Sequence, residues 1–180
     1  MGFSLYRKVS YLVKILQHQK RIFYVYSHLY LANAILNRSF AQPSKTINPA
    51  QLQRILYLCD VEYRQQTGRP LVSTQWATFK YGPALLSLHH KMVCLGGRPI
   101  KAFLRDAAGQ VLMTDDNIYK TCLDKLFSPL SELSVAQLAT ITRYPGGAWD
   151  NAYQNNEPML NDDLVSTDIG YRKVLRQLTD

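Results

Sequence analysis

The chain has 180 residues, 47% of them hydrophobic and 19% charged. These are values of a globular domain that can bury roughly 70% of the surface its unfolded chain exposes, and they exclude a disordered or fibrous protein. The net charge of +8 sits entirely in the first third: up to Cys59 there are eight basic residues (Arg7, Lys8, Lys14, Lys20, Arg21, Arg38, Lys45, Arg54) and no acid, whereas the remainder balances thirteen against thirteen. Such asymmetry suits contact with an acidic partner protein, nucleic acid or an anionic surface.

Residues 4–20 carry Leu5, Val9, Leu12, Val13 and Leu16 at helical spacing with Arg7, Lys8 and Lys14 among them. They are predicted to form an appended basic amphipathic helix within residues 1–25 that packs on the domain, with membrane-surface binding as the sharper alternative. The run 22–32 is too short and too polar to span a bilayer and lies late for an export signal, so no targeting segment is read and the chain is placed in the cytoplasm. Cys59, Cys94 and Cys122 form no C-x-x-C and are odd in number; they read as reduced, buried thiols.

A helix is predicted over 22–38, with Val25, Leu29, Ala32, Ile35 and Leu36 on one face, then a polar linker over 39–47. Asn48-Pro49 marks the next start, Asn as cap and Pro at the first helical position; Leu52, Ile55, Leu56, Cys59 and Tyr63 form the stripe of a central helix that stops at Gly68. Residues 71–80 have strand-like composition and end at Gly82-Pro83, where Gly82 takes φ > 0 or meets another backbone and Pro83 opens a new helix. With Trp76, Phe79 and Tyr81 this stretch is an aromatic anchor for the flanking helices, Trp76 mostly buried.

The helix after Pro83 stops at Gly96-Gly97. Residues 99–104 and 111–114 are short strand candidates about the turn Asp106-Ala107-Ala108-Gly109. Thr114 or Asp115 caps a helix to about Phe127, and Ser134 caps one that turns Leu138 and Ile141 inward. Tyr144-Pro145-Gly146-Gly147 breaks that helix, one more turn starts at Trp149, and a last helix covers 167–178. The fold class is mostly α (α+β): a compact multi-helix domain over 26–180 with one small β-hairpin or short sheet.

Catalytic constellations are missing from the pattern. His18, His28, His89 and His90 do not combine with a carboxylate on one helix face, and the adjacent His89 and His90 point about 100° apart. Asp115-Asp116 and Asp162-Asp163 suit helix caps better than a shared proton. No phosphate-binding glycine loop or nucleophile elbow occurs. The expectation is a protein that is not an enzyme and needs no metal or cofactor.

Four pieces in order resemble the Panacea domain, the SocA-like antitoxin domain of bacteria and their phages: Ala34-Ile35-Leu36-Asn37; Ile47-Asn48-Pro49 through Leu56-Tyr57; Thr67-Gly68-Arg69-Pro70-Leu71 with Trp76-Ala77-Thr78-Phe79-Lys80-Tyr81-Gly82-Pro83; and Leu133-Ser134 through Thr142 followed by Pro145-Gly146-Gly147-Ala148-Trp149. Asn48 and Gln51 stand in place of the family's usual threonine and lysine, and Arg143-Tyr144 where a histidine is common. The resemblance implies an antitoxin that neutralises a cognate protein toxin by direct binding. Trp76, Lys80, Tyr81, Gly82, Pro83 and Trp149 are the candidate partner-binding residues. The alternative is a nucleic-acid-binding phage accessory protein or autoregulator using the basic N-terminal third. Against it, no helix-turn-helix or aromatic-rich basic platform is discernible.

Overall fold

A computed structural model describes residues 28–179. The basic helix expected within 1–25, and the start of the helix expected at 22–38, lie outside the described residues. Those described form eight helices and one two-stranded antiparallel sheet, and 56% of them are helical.

In chain order the elements are α1 (His28–Phe40), α2 (Pro49–Thr67), β1 (Ala77–Phe79), β2 (Gly82–Ala84), α3 (Leu86–Met92) with a 3₁₀ turn at Val93–Leu95, α4 (Asn117–Ser131), α5 (Val135–Thr142), α6 (Ala148–Gln154), α7 (Asp162–Ser166) and α8 (Tyr171–Thr179). Helix α2 is the axis. Asn48 and Gln51 form a reciprocal capping box with Pro49 at the first position, and Gly68 ends the helix in the left-handed conformation at φ 65°. Helices α1, α3, α4, α5 and α7 and strand β2 all pack on it. Every residue from Leu52 to Arg64 is consequently buried, the expected stripe having become a helix enclosed on all sides.

An enclosed helix must satisfy its own polar side chains. Asp60 accepts from Arg64 Nε at 3.1 Å, from the Leu71 amide at 2.8 Å and from the Trp76 indole at 2.7 Å, while Arg64 also reaches Asp162 at 2.9 Å. Burial pushes the Asp60 carboxyl up and these donors draw it part of the way back. Tyr57 packs edge-on against Trp76 at 5.2 Å and donates to Asp168. Gln53 brackets the Leu85 backbone, donating to its carbonyl at 3.1 Å and accepting from its amide at 3.0 Å.

Several expectations are corrected. The strands at 99–104 and 111–114 do not form, although the turn does: the Asp106 amide donates to the Gln110 carbonyl at 3.0 Å. The buried Asn33 amide takes up the flanking backbone instead, donating to the Leu104 and Leu112 carbonyls at 2.9 and 3.0 Å and accepting from the Leu104 amide at 2.8 Å. A side chain thus replaces the ladder. The hairpin lies earlier, and of 71–80 only Ala77–Phe79 is strand. Pro83 belongs to β2, and Leu85 precedes the next helix. Asp116, rather than Thr114 or Asp115, caps α4, which runs on to Ser131. Asn161, rather than the Asp162-Asp163 pair, caps the short helix α7, and Cys94 is exposed where a buried thiol was expected.

Candidate functional site

Strands β1 and β2 pair Ala77 with Ala84, Thr78 with Pro83 and Phe79 with Gly82, leaving a two-residue loop, Lys80-Tyr81. Two-residue hairpins ordinarily place positive φ in the loop to match the strands' twist. Neither loop residue has positive φ here; Gly82 supplies it at 123°, a conformation that side chains disfavour. Its Cα faces the Thr142 hydroxyl and the Arg54 guanidinium, so an added Cβ would lie 3.2 Å from Thr142 Oγ1.

Side chains from elsewhere hold the tip. Trp149 Nε1 donates to the Phe79 carbonyl at 2.8 Å, Arg143 Nη1 to the Lys80 carbonyl at 3.3 Å, and Arg54 Nη2 to the Tyr81 carbonyl. Three successive carbonyls are tied to α6, to the residue ending α5 and to α2. The Arg143 guanidinium lies 5.3 Å from the Trp149 ring centre, and Trp149 stacks on Tyr153 at 4.5 Å. On the other edge of β1, the Thr78 amide donates to the Pro158 carbonyl at 2.9 Å and the Leu160 amide to the Trp76 carbonyl at 2.8 Å.

The hairpin is therefore a rigid platform, and Tyr81 stands out from it, 65% exposed. Beside it opens a pocket of about 270 Å³ with mainly apolar walls: Pro49 and Ala50 at the start of α2, Phe79 and Pro83 of the hairpin, Met92 of α3 and Val93 of the 3₁₀ turn. Among the described residues its ionisable bases are Arg54 and His89, the latter packed on Phe79 at 4.8 Å, and no acid lines it.

Of the six residues singled out in the sequence, Lys80 and Tyr81 are exposed at the tip, and Gly82 and Pro83 form one wall of the pocket. Trp76 is fully buried and Trp149 nearly so; both hold the platform from beneath. Sequence reasoning missed Arg54, Arg143, His89, Met92 and Val93. The available signals were an arginine next to the apolar stripe of the central helix and the Arg143-Tyr144 pair standing where the resembled family has histidine.

The buried carboxylates act as struts. Glu62 receives Tyr171 Oη, Arg172 Nε at 2.7 Å and Lys125 Nζ at 3.1 Å; burial works to raise it, but these donors outweigh burial and hold it below its ordinary value. Asp168 receives Tyr57 Oη, Tyr144 Oη and the Ala148 amide at 3.1 Å, and burial keeps it above the ordinary aspartate range. Their oxygens are engaged by fixed donors. Among the described residues no group of three His, Cys, Asp or Glu side chains could hold a metal ion, and no helix is long and apolar enough to cross a membrane.

Comparison with models of known protein families, with curated proteins and with solved structures finds no match.

Proposed function

We propose that this chain acts by stoichiometric protein binding, as the antitoxin of a bacterial or phage toxin–antitoxin pair, and that its toxin docks on the Lys80-Tyr81 tip and the adjoining pocket. The observation that supports this is the clamped hairpin: an exposed tyrosine on a backbone whose carbonyls are already tied, beside an apolar recess. Binding hot spots favour such pre-ordered aromatic anchors, because little conformational entropy remains to be lost on association. The resemblance of the Tyr81-Gly82-Pro83 region to the Panacea domain points the same way.

The test is co-expression with the product of the adjacent open reading frame, with a pull-down beside it. Growth is rescued and a complex recovered with the parent chain. Tyr81→Ala and Lys80→Glu weaken both, the second through encounter as well as contact. His90→Ala and Asp115→Ala leave both unchanged. Rescue without a complex, or rescue abolished in a folded His90 or Asp115 variant, would refute binding as the mechanism. Retention on DNA that competes with the complex would favour the nucleic-acid alternative.

A further inference from the structure

Helix α2 carries two arginines of equal burial, each 5% exposed, with opposite surroundings. Arg64 faces Asp60 at 3.1 Å and Asp162 at 2.9 Å, and although burial works against its charge these carboxylates hold its pKa up. Arg54 forms no ion pair among the described residues. Its Nη1 donates to the Ala50 carbonyl at 2.8 Å, its Nη2 goes to the Tyr81 carbonyl, and its Nε is buried without a partner. The charge beside it is another cation, Arg143; burial and that neighbour together lower the Arg54 pKa from its ordinary value to about 10. A buried charge is ordinarily matched by an opposite one, and here the match is missing.

Arg54 lines the pocket described above, whose walls hold no acid among the described residues. The first turn of α2 also lines it, and that turn contains no Asp or Glu to offset the positive end of the helix dipole. Around this positive floor the walls are apolar: Met92, Val93, Pro83 and Phe79.

We propose that the pocket receives an acidic residue of a partner protein together with the apolar side chain next to it. This rests on the protein-binding reading and specifies the chemistry of the partner. The carboxylate meets Arg54 and the first turn of α2, while Met92, Val93 and Pro83 cover the apolar neighbour and Tyr81 closes the rim. A nucleic-acid phosphate would supply the charge but leave the apolar walls unused, so an acidic–apolar protein segment is the better complement.

The experiment uses the full chain alone and two probes of one shape, 3-phenylpropionate and 3-phenylpropionamide, followed by NMR at the Arg54 Nε–H and the Met92 methyl. The acid is expected to move both signals and to bind at least about tenfold more tightly than the amide. Arg54→Gln removes that preference. Should that variant fail to fold, His89→Glu, a change at an exposed position on the pocket wall, supplies a competing carboxylate and weakens acid binding by about tenfold. Equal binding of acid and amide, no response at either signal, or a larger response to inorganic phosphate than to the acid would overturn the proposal. With no toxin present, failure here leaves the rescue assay standing. A failed rescue beside an acid-selective pocket would remove the toxin and keep the site.

Discussion

The Arg54 guanidinium and the Tyr81 carbonyl, 27 residues apart in sequence, are joined by a hydrogen bond that ties the first turns of α2 to the hairpin tip. With Trp149 on the Phe79 carbonyl and Arg143 on the Lys80 carbonyl, the tip is held from three directions, so substitutions beneath it are expected to act through the backbone of the exposed residues.

Gly82→Ala tests the closure of the hairpin. Alanine is disfavoured at φ 123°, and its Cβ would lie 3.2 Å from Thr142 Oγ1. The variant is expected to lose roughly 1–3 kcal/mol. Denaturant melts measure it, and an unchanged midpoint would show that the hairpin tolerates a side chain there.

Gly170→Ala tests a different close approach. The Gly170 amide donates to Tyr144 Oη at 3.2 Å, and the Tyr144 ring occupies the space a Cβ would need. Displacing the ring disturbs the Tyr144–Asp168 hydrogen bond, and overpacking of this kind destabilises by about 1–3 kcal/mol. A melting temperature equal to the parent's would contradict the packing described.

Trp76→Phe keeps most of the buried ring area but removes the indole donor from Asp60, 2.7 Å away. A buried carboxylate short of one donor is expected to lower stability by about 1–3 kcal/mol. Trp76→Phe paired with Asp60→Asn should cost less than the sum of the two single changes, because the groups share one network. Strict additivity would place Trp76 outside it.

Asp168→Asn tests the pH dependence. Burial raises the Asp168 carboxyl even though Tyr144, Tyr57 and Ala148 donate to it. The folded chain holds this proton more tightly than the unfolded chain, so the contribution is fully present below the unfolded pKa and is lost as pH rises through the folded one. Glu62 works oppositely: its donors outweigh burial and depress it, so its contribution is present above the unfolded pKa and lost as pH falls through the folded one. Removing Asp168 leaves Glu62 acting. Between the ordinary aspartate range and the raised Asp168 value, the slope of stability against pH should become more positive than the parent's. Denaturant titrations across that range measure it; an identical slope would show that Asp168 does not titrate as described.

The features legible in the residues alone are local. Asn48-Pro49 and Ser134 mark helix starts because the donors left unpaired in a first turn are satisfied within three residues, and Gly68 marks a stop because a left-handed residue suits a helix end. The mostly helical class was legible too, and of the two readings of Gly82, positive φ or close approach to another backbone, the first is found. Which polar groups meet is set by packing between distant segments. Asn33 takes backbone partners 71 and 79 residues away and thereby converts two expected strands into loop. Arg54 and Arg64 look alike on one helix, and Asp162, in the first turn of α7, helps to neutralise the second while the first faces a pocket with no acid among its described lining residues. Side-chain charge is written in the sequence, but its compensation depends on distances that only the packed chain sets.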